Sequence, residues 1–147
     1  MQNKLPLEGI RILEFTHAVL GPSTGMYLAD FGAEVIKIEP APHGDPTRRL
    51  KGFGMGFSPF TNRNKKSLAV NLKTEEGKAV VHKLLATADV LIENFGPGTM
   101  DRLGFGYDAL KDAYPQLIYC TLKGFMPGPY EKRMALDEVV QMMSGLA

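Results

Sequence analysis

Two short apolar runs flanking one helical segment constrain this chain more than any other feature. Gly9-Ile10-Arg11-Ile12-Leu13-Glu14-Phe15 reads as a mostly apolar strand. Gly21 and Pro22 fit the cap and first position of a helix reaching about Phe31, with Met26, Leu28, Ala29 and Phe31 available for burial. Gly32 is a natural C-cap, and Ala33-Glu34-Val35-Ile36-Lys37-Ile38-Glu39 follows as a second strand. A strand–helix–strand unit of this length favours a parallel pair joined by a right-handed crossover.

The alternation continues after an interruption. Residues 40–66 are punctuated by Pro40, Pro42, Gly44, Pro46, Gly52, Gly54, Gly56 and Pro59 and made basic by Arg48, Arg49, Lys51, Arg63, Lys65 and Lys66. This predicts a long loop, and such loops are usually functional or mobile. Residues 67–72 predict a third strand. Thr74 is a candidate N-cap, with Glu75 and Glu76 at the positive helix end. Val80, Val81, Leu84, Leu85 and Ala88 then recur at helical spacing. Residues 89–95 predict a fourth strand, residues 100–103 and 107–113 two short helices, and residues 117–122 a fifth strand. A last helix begins near Asp137, itself a candidate N-cap, and runs to an apolar Leu146-Ala147 end with no cap in the sequence. A finished domain rarely stops this way, so residues 1–147 are expected to be one lobe of a longer protein. The expected fold class is α/β: a Rossmann-like open, mostly parallel sheet with flanking helices.

Several function classes are disfavoured. The first βα turn, residues 16–23, contains no G-x-G-x-x-G, and no G-x-x-x-x-G-K-[ST] occurs, so dinucleotide-dehydrogenase and P-loop chemistry are not expected. With a net charge of +1, nothing points to nucleic acid or an anionic membrane surface as a partner. No apolar run approaches the ~20 residues of a membrane span, and Met1-Gln2-Asn3-Lys4-Leu5-Pro6 has no signal-peptide core. The single cysteine, Cys120, lies in an apolar run and fits a buried small residue and a reducing cytoplasm. His17, His43 and His82 show no metal-ligand spacing with each other or with carboxylates, so no metal site is expected. His82, between Val81 and Lys83, reads as a solvated residue of a charged helix face. Ligands of such sheets bind at the C-terminal strand ends, which places residues 17–21, 39–49, 94–98 and 123–128 near any site.

A collinear series of motifs then points to one family. Residues 7–15, Gly21-Pro22, residues 28–39 (LADFGAEVIKIE) and Gly44-Asp45-Pro46-Thr47-Arg48 come first. Asn62-Arg63-Asn64-Lys65-Lys66-Ser67-Leu68 matches an N-x-N-K-[RK]-S stretch. Residues 89–95, Pro97-Gly98, Leu103-Gly104, residues 115–119, Lys123-Gly124-Phe125 and Ser144-Gly145-Leu146 complete it. Together they resemble the N-terminal portion of class III (CaiB/BaiF-type) coenzyme A-transferases.

That resemblance implies an acyl-CoA and a carboxylic acid as substrates, with coenzyme A as a substrate moiety and no permanently bound cofactor. The phosphates of CoA call for cationic donors and backbone N–H groups. By motif position it assigns CoA contacts to Val19 and Leu20, to Val70 and Lys73, and to Asn94, Phe95 and Arg102. For Arg102 and Lys73 the alternative is a solvated surface charge, and for Arg63, Lys65 and Lys66 it is a solvated loop rather than a phosphate or interface contact. The family's nucleophile is an aspartate that attacks the thioester carbonyl. It is expected beyond Ala147, leaving Asp137 a supporting position or simply a helix N-cap. Related racemases carry a histidine immediately before that acidic position. Leu136 stands there and cannot move a proton, which favours a transferase over a racemase-like relative. A non-catalytic CoA-binding module is the third reading. The family further implies a homodimer of interlocked chains, or pairing with the missing C-terminal half.

Overall fold

The structure is a computed structural model that describes residues 4–133 and 135–146, the side chain of Phe53 excepted. The expectations placed on Met1-Gln2-Asn3 and on Ala147 lie outside the described residues. The strands are β1 (Arg11–Phe15), β2 (Glu34–Pro40), β3 (Lys66–Val70), β4 (Val90–Glu93) and β5 (Ile118–Thr121). All pair in parallel, in the order β3-β2-β1-β4-β5. The helices are α1 (Leu20–Asp30), α2 (Phe57–Thr61), α3 (Glu75–Leu85), α4 (Thr99–Leu103), α5 (Tyr107–Leu110) and α6 (Asp137–Ser144).

Side chains alternate across the sheet, and the two faces differ in kind. On one, Leu13, Phe15, Ile36, Ile38, Val70 and Leu91 pack against Val81, Leu85, Met100, Phe105 and Leu110. This is the main core, covered by α3, α4 and α5. On the other face the apolar cluster is small: Ile12, Val35 and Ile92 against Ala29 and Ala33. One pleat further along β1 and β2, where more apolar residues would continue the pattern, stand Glu14, Lys37 and Glu39, all buried.

The structure amends the expected boundaries in physically simple ways. Residues 40–66 are not one loop: they hold 3-10 turns at Pro46–Arg49 and Gly52–Gly56 and then α2. The cap of α1 is Val19, not Gly21. Thr74 does cap α3, accepting from the Gly77 N–H at 3.2 Å. Val80 points outward at 42% exposure while Val81 and Leu85 are buried. Asp137 is the first residue of α6, not its cap, which is Leu136. The helix is also not uncapped at its far end. Gly145 sits at φ 79°, with its N–H on Met142 O at 3.2 Å and that of Leu146 on Gln141 O at 3.1 Å. This pair of bonds is a Schellman motif, which needs a left-handed residue and so a glycine. The uncapped end therefore falls away as support for a longer protein. Cys120 is half-buried rather than buried. His82 is not free on a charged face: its Nδ1 lies 3.0 Å from the Tyr114 hydroxyl and its ring 5.1 Å from that of Phe105.

Candidate functional site

The C-terminal ends of β1 to β4 open on a cleft of about 660 Å3. Phe15, Thr16 and His17 line it from β1, Ile38, Glu39 and Pro40 from β2, and Val70 and Lys73 from β3. Phe95, Thr99 and Leu103 close it beyond β4. It lies at the switch point of the sheet, where chain order reverses between β1 and β4 and where open α/β sheets bind ligands.

Asn94 ties the first wall together. Its Oδ1 accepts from the His17 N–H at 2.9 Å and its Nδ2 donates to His17 O at 3.0 Å. The rings of His17 and Phe95 stack, 5.5 Å between centroids and 15° between planes. The β1–α1 turn and the end of β4 thus form one rigid edge of the cleft.

The opposite wall is fixed by carboxylates. Asp45 Oδ1 accepts from the Thr47 N–H at 2.8 Å and the Thr47 hydroxyl at 2.6 Å. The Thr47 oxygen in turn accepts from the Ala18 N–H at 3.2 Å, which couples this segment to the β1–α1 turn. Glu39 accepts from the Asp45 N–H at 2.8 Å, from the Ser67 hydroxyl at 2.8 Å and from both forks of Arg48. Burial pushes the Glu39 carboxyl up, but Arg48, the Asp45 N–H and Ser67 together outweigh it and hold it at about 2. For Asp45 burial is likewise overcome, by Thr47 and Lys37, and its carboxyl stays below the usual range.

Beneath this wall lies a buried ion network. Lys37 Nζ is 3.2 Å from Glu14 Oε1 and 3.0 Å from Asp45 Oδ2, and Lys65 Nζ is 2.7 Å from Glu14 Oε2. Glu14 Oε2 and Asp45 Oδ2 receive no aligned hydrogen bond, and the nearby ammonium groups offset their burial instead. Desolvation lowers the Lys65 pKa, against the pull of Glu14. Two acids and two bases cancel, so the network adds no net charge below the cleft.

The open end carries positive potential. Unlike α3, α1 has no side-chain cap and no acid in its first turn, so its N-terminal N–H groups remain available to an anion. Lys73 and Arg102 make no ion pair among the described residues, and Arg102 donates only to the Thr99 hydroxyl at 2.9 Å. Both carboxylates lining the cleft, Glu39 and Asp45, are already matched by Arg48 and Lys37.

The family model described as CoA-transferase family III matches residues 7–147. The chain belongs to that family. A formyl-CoA:oxalate CoA-transferase of Streptomyces coelicolor is 44% identical over 143 residues, covering 95% of this chain and 35% of its own. An acetyl-CoA:oxalate CoA-transferase of Acetobacter aceti is 44% identical over 148 residues, covering 97% and 38%. A CaiB/BaiF family protein from Brucella suis superposes with a TM-score of 0.85 at 40% identity, over 97% of this chain and 40% of that one. The chain thus spans little more than a third of the curated relatives it matches.

The family positions do not all converge equally. Val70, Lys73 and Phe95 line the cleft. Asn94 adjoins it, but its side-chain amide is occupied by the His17 backbone. Val19 and Leu20 are exposed at the start of α1, beside the cleft, offering backbone rather than side-chain polarity. Arg102 stands on α4 behind Thr99. Asp137 and Leu136 are exposed, and Asp137 accepts from the Gln141 amide at 2.9 Å. The basic cluster Arg63, Lys65 and Lys66 is neither a solvated loop nor a set of free phosphate ligands. Arg63 pairs with Asp30 at 2.5 Å, Lys65 is buried against Glu14, and Lys66 pairs with Glu34. Sequence reasoning missed Glu14; it placed Glu39 and Thr47, within residues 39–49, near any site but gave neither a role. The signal for Glu14 and Glu39 is a charged residue interrupting an apolar strand. Among the described residues no group of three His, Cys, Asp or Glu side chains is placed to hold a metal ion, and no helix is long and apolar enough to cross a membrane.

Proposed function

We propose that these residues form the CoA-binding lobe of an acyl-CoA:carboxylate CoA-transferase. The observation that carries this reading is a mostly apolar cleft lined by Lys73 and by His17 of the β1–α1 turn, with the start of α1, which has no side-chain cap, following that turn. Lys73 and, from α4, Arg102 supply cations that make no ion pair among the described residues, the start of α1 supplies N–H groups, and a pantetheine arm fits the apolar walls. Val19 and Leu20 offer backbone N–H groups, Phe95 an aromatic face, and Arg102 a forked donor for phosphate. Asn94 acts by holding His17.

The covalent step falls to an aspartate outside this sequence. It adds to the thioester carbonyl and the carbon–sulfur bond breaks, giving an acyl–aspartyl anhydride and free CoA. The CoA thiolate then attacks the aspartyl carbonyl, releasing the acyl group as its carboxylate and leaving an enzyme-bound CoA thioester, from which the acceptor carboxylate takes the CoA. The names of the two curated relatives favour a short acyl-CoA and a small dicarboxylate such as oxalate. Leu136 offers no proton-transfer group where the related racemases have a histidine.

Titration calorimetry with free CoA tests this. Saturable binding is expected, with Arg102→Ala weaker by roughly tenfold, or about 1.4 kcal/mol. The loss should shrink at high salt, because the contact is ionic and near the surface. Absence of binding by wild type, or equal affinity in Arg102→Ala, refutes the assignment.

A further inference from the structure

The segment after β5 reaches back to the cleft through one side chain. Lys123 Nζ is 2.8 Å from Glu93 Oε1 and 2.9 Å from Glu93 Oε2, and it donates to the backbone oxygen of Phe95. Glu93, nearly fully buried at the end of β4, accepts from the Phe95 N–H at 2.9 Å. Both backbone polar groups of Phe95 are therefore held by the same ion pair. Its ring is held separately, on His17. Hydrogen bonds with an ionised partner are the strong, directional kind. A residue whose N–H and C=O are both fixed this way has little freedom in φ and ψ.

We infer that Lys123 is a positioning residue for the ligand-facing turn Asn94–Phe95, acting through Glu93 and the Phe95 backbone. This rests on the reading of the cleft as a CoA site. Lys123 does not line the cleft; its effect on the ligand passes through the orientation of the Phe95 ring and of the Asn94–His17 clamp. The role explains why a lysine that is 30% exposed turns inward to a backbone carbonyl. It also makes the fifth strand, which does not line the cleft, part of its scaffold.

The test uses the whole chain with two readouts: CoA affinity by calorimetry, and hydrogen exchange of the Phe95 amide by NMR. Lys123→Met is expected to speed exchange at Phe95 and weaken CoA binding by roughly tenfold, about 1.4 kcal/mol. Lys123→Arg, which keeps charge and donors, should recover most of both. Because Lys123→Met leaves Glu93 buried and unpaired, Glu93→Gln/Lys123→Met serves as the second variant. It removes the stranded charge, keeps an acceptor for the Phe95 N–H, and should fold stably yet still bind CoA weakly. Wild-type affinity in that double variant, or unchanged Phe95 exchange in Lys123→Met, overturns the positioning role. Wild type with a protected Phe95 amide and no CoA binding overturns the CoA reading, and this proposal's ligand with it.

Discussion

Replacing Gly25 by alanine tests whether the buried ion network dictates the path of α1. Gly25 is buried within α1, and a Cβ there would lie 1.8 Å from Glu14 Oε2 and 3.0 Å from Lys65 Nζ. Ordinary non-bonded contact is about 3.5 Å, so either the carboxylate or the helix must move by well over an ångström. Two effects oppose each other. Alanine is the better helix former by about 1 kcal/mol. Displacing Glu14 separates it from Lys65 at 2.7 Å and strains its bond to Lys37, and breaking a buried pair costs about 3–5 kcal/mol. The net is a loss of about 2–4 kcal/mol, or very roughly 6–12 °C in Tm for a chain of this size. Urea denaturation of Gly25→Ala beside wild type measures it. Gly96→Ala is the control, since a Cβ at Gly96 meets nothing within 4 Å; it should stay within about 0.5 kcal/mol of wild type. If Gly25→Ala is as stable as wild type or more so, helix propensity has won, and the close packing of α1 on Glu14 is not what fixes the helix.

Two other predictions concern the wall of the cleft. Glu39 titrates at about 2 in the folded chain against an ordinary 4.5. Its stabilisation is therefore complete above pH 4.5 and lost as pH falls towards 2. The difference is on the order of 3 kcal/mol, and Glu39→Gln should flatten the acid limb of a stability-against-pH curve in that window. Thr47→Val removes the donor to Asp45 Oδ1 and the acceptor of the Ala18 N–H; it should cost about 1–3 kcal/mol by thermal unfolding, with Thr47→Ser close to wild type.

The strands and long helices were legible because each is governed by short-range rules. Apolar runs bounded by glycine marked the first and second strands, and Thr74 followed by Glu75 and Glu76 marked the start of α3. Where the reading failed, the deciding interaction was distant in sequence or hidden in backbone geometry. Lys65 looked like a loop cation, yet its partner Glu14 is on the first strand. Residues 40–66 looked structureless because the partners that order them, Glu14, Lys37 and Glu39, lie on the sheet. The cap at Gly145 is hidden in the sequence because a glycine followed by Leu146 also reads as a continuation of the helix, and only its positive φ ends it. The cleft's position followed from topology alone. Which side chains face it did not, since Asn94 and Arg102 are steered by His17 and Thr99.

The buried charges on the α1 face make more sense as a locating device than as a source of stability. An apolar layer in place of Glu14 and Lys37 could be equally stable or more so, and the other face of the same sheet shows that this chain can build one. Apolar contacts are non-directional, however, and would leave the 41–65 segment free to settle in several registers. An ion pair with short, defined contacts admits few. Lys65 shows this: besides Glu14 it donates to Pro22 O at 2.7 Å, so the end of the segment is fixed to the first turn of α1. Asp45 does the same at the beginning, through Thr47 to Ala18. Both anchors converge on the β1–α1 turn and the first turn of α1. The polar interior of this face therefore holds the start of α1, which has no side-chain cap, and the segment so placed supplies Asp45 and Pro46 to the wall of the cleft.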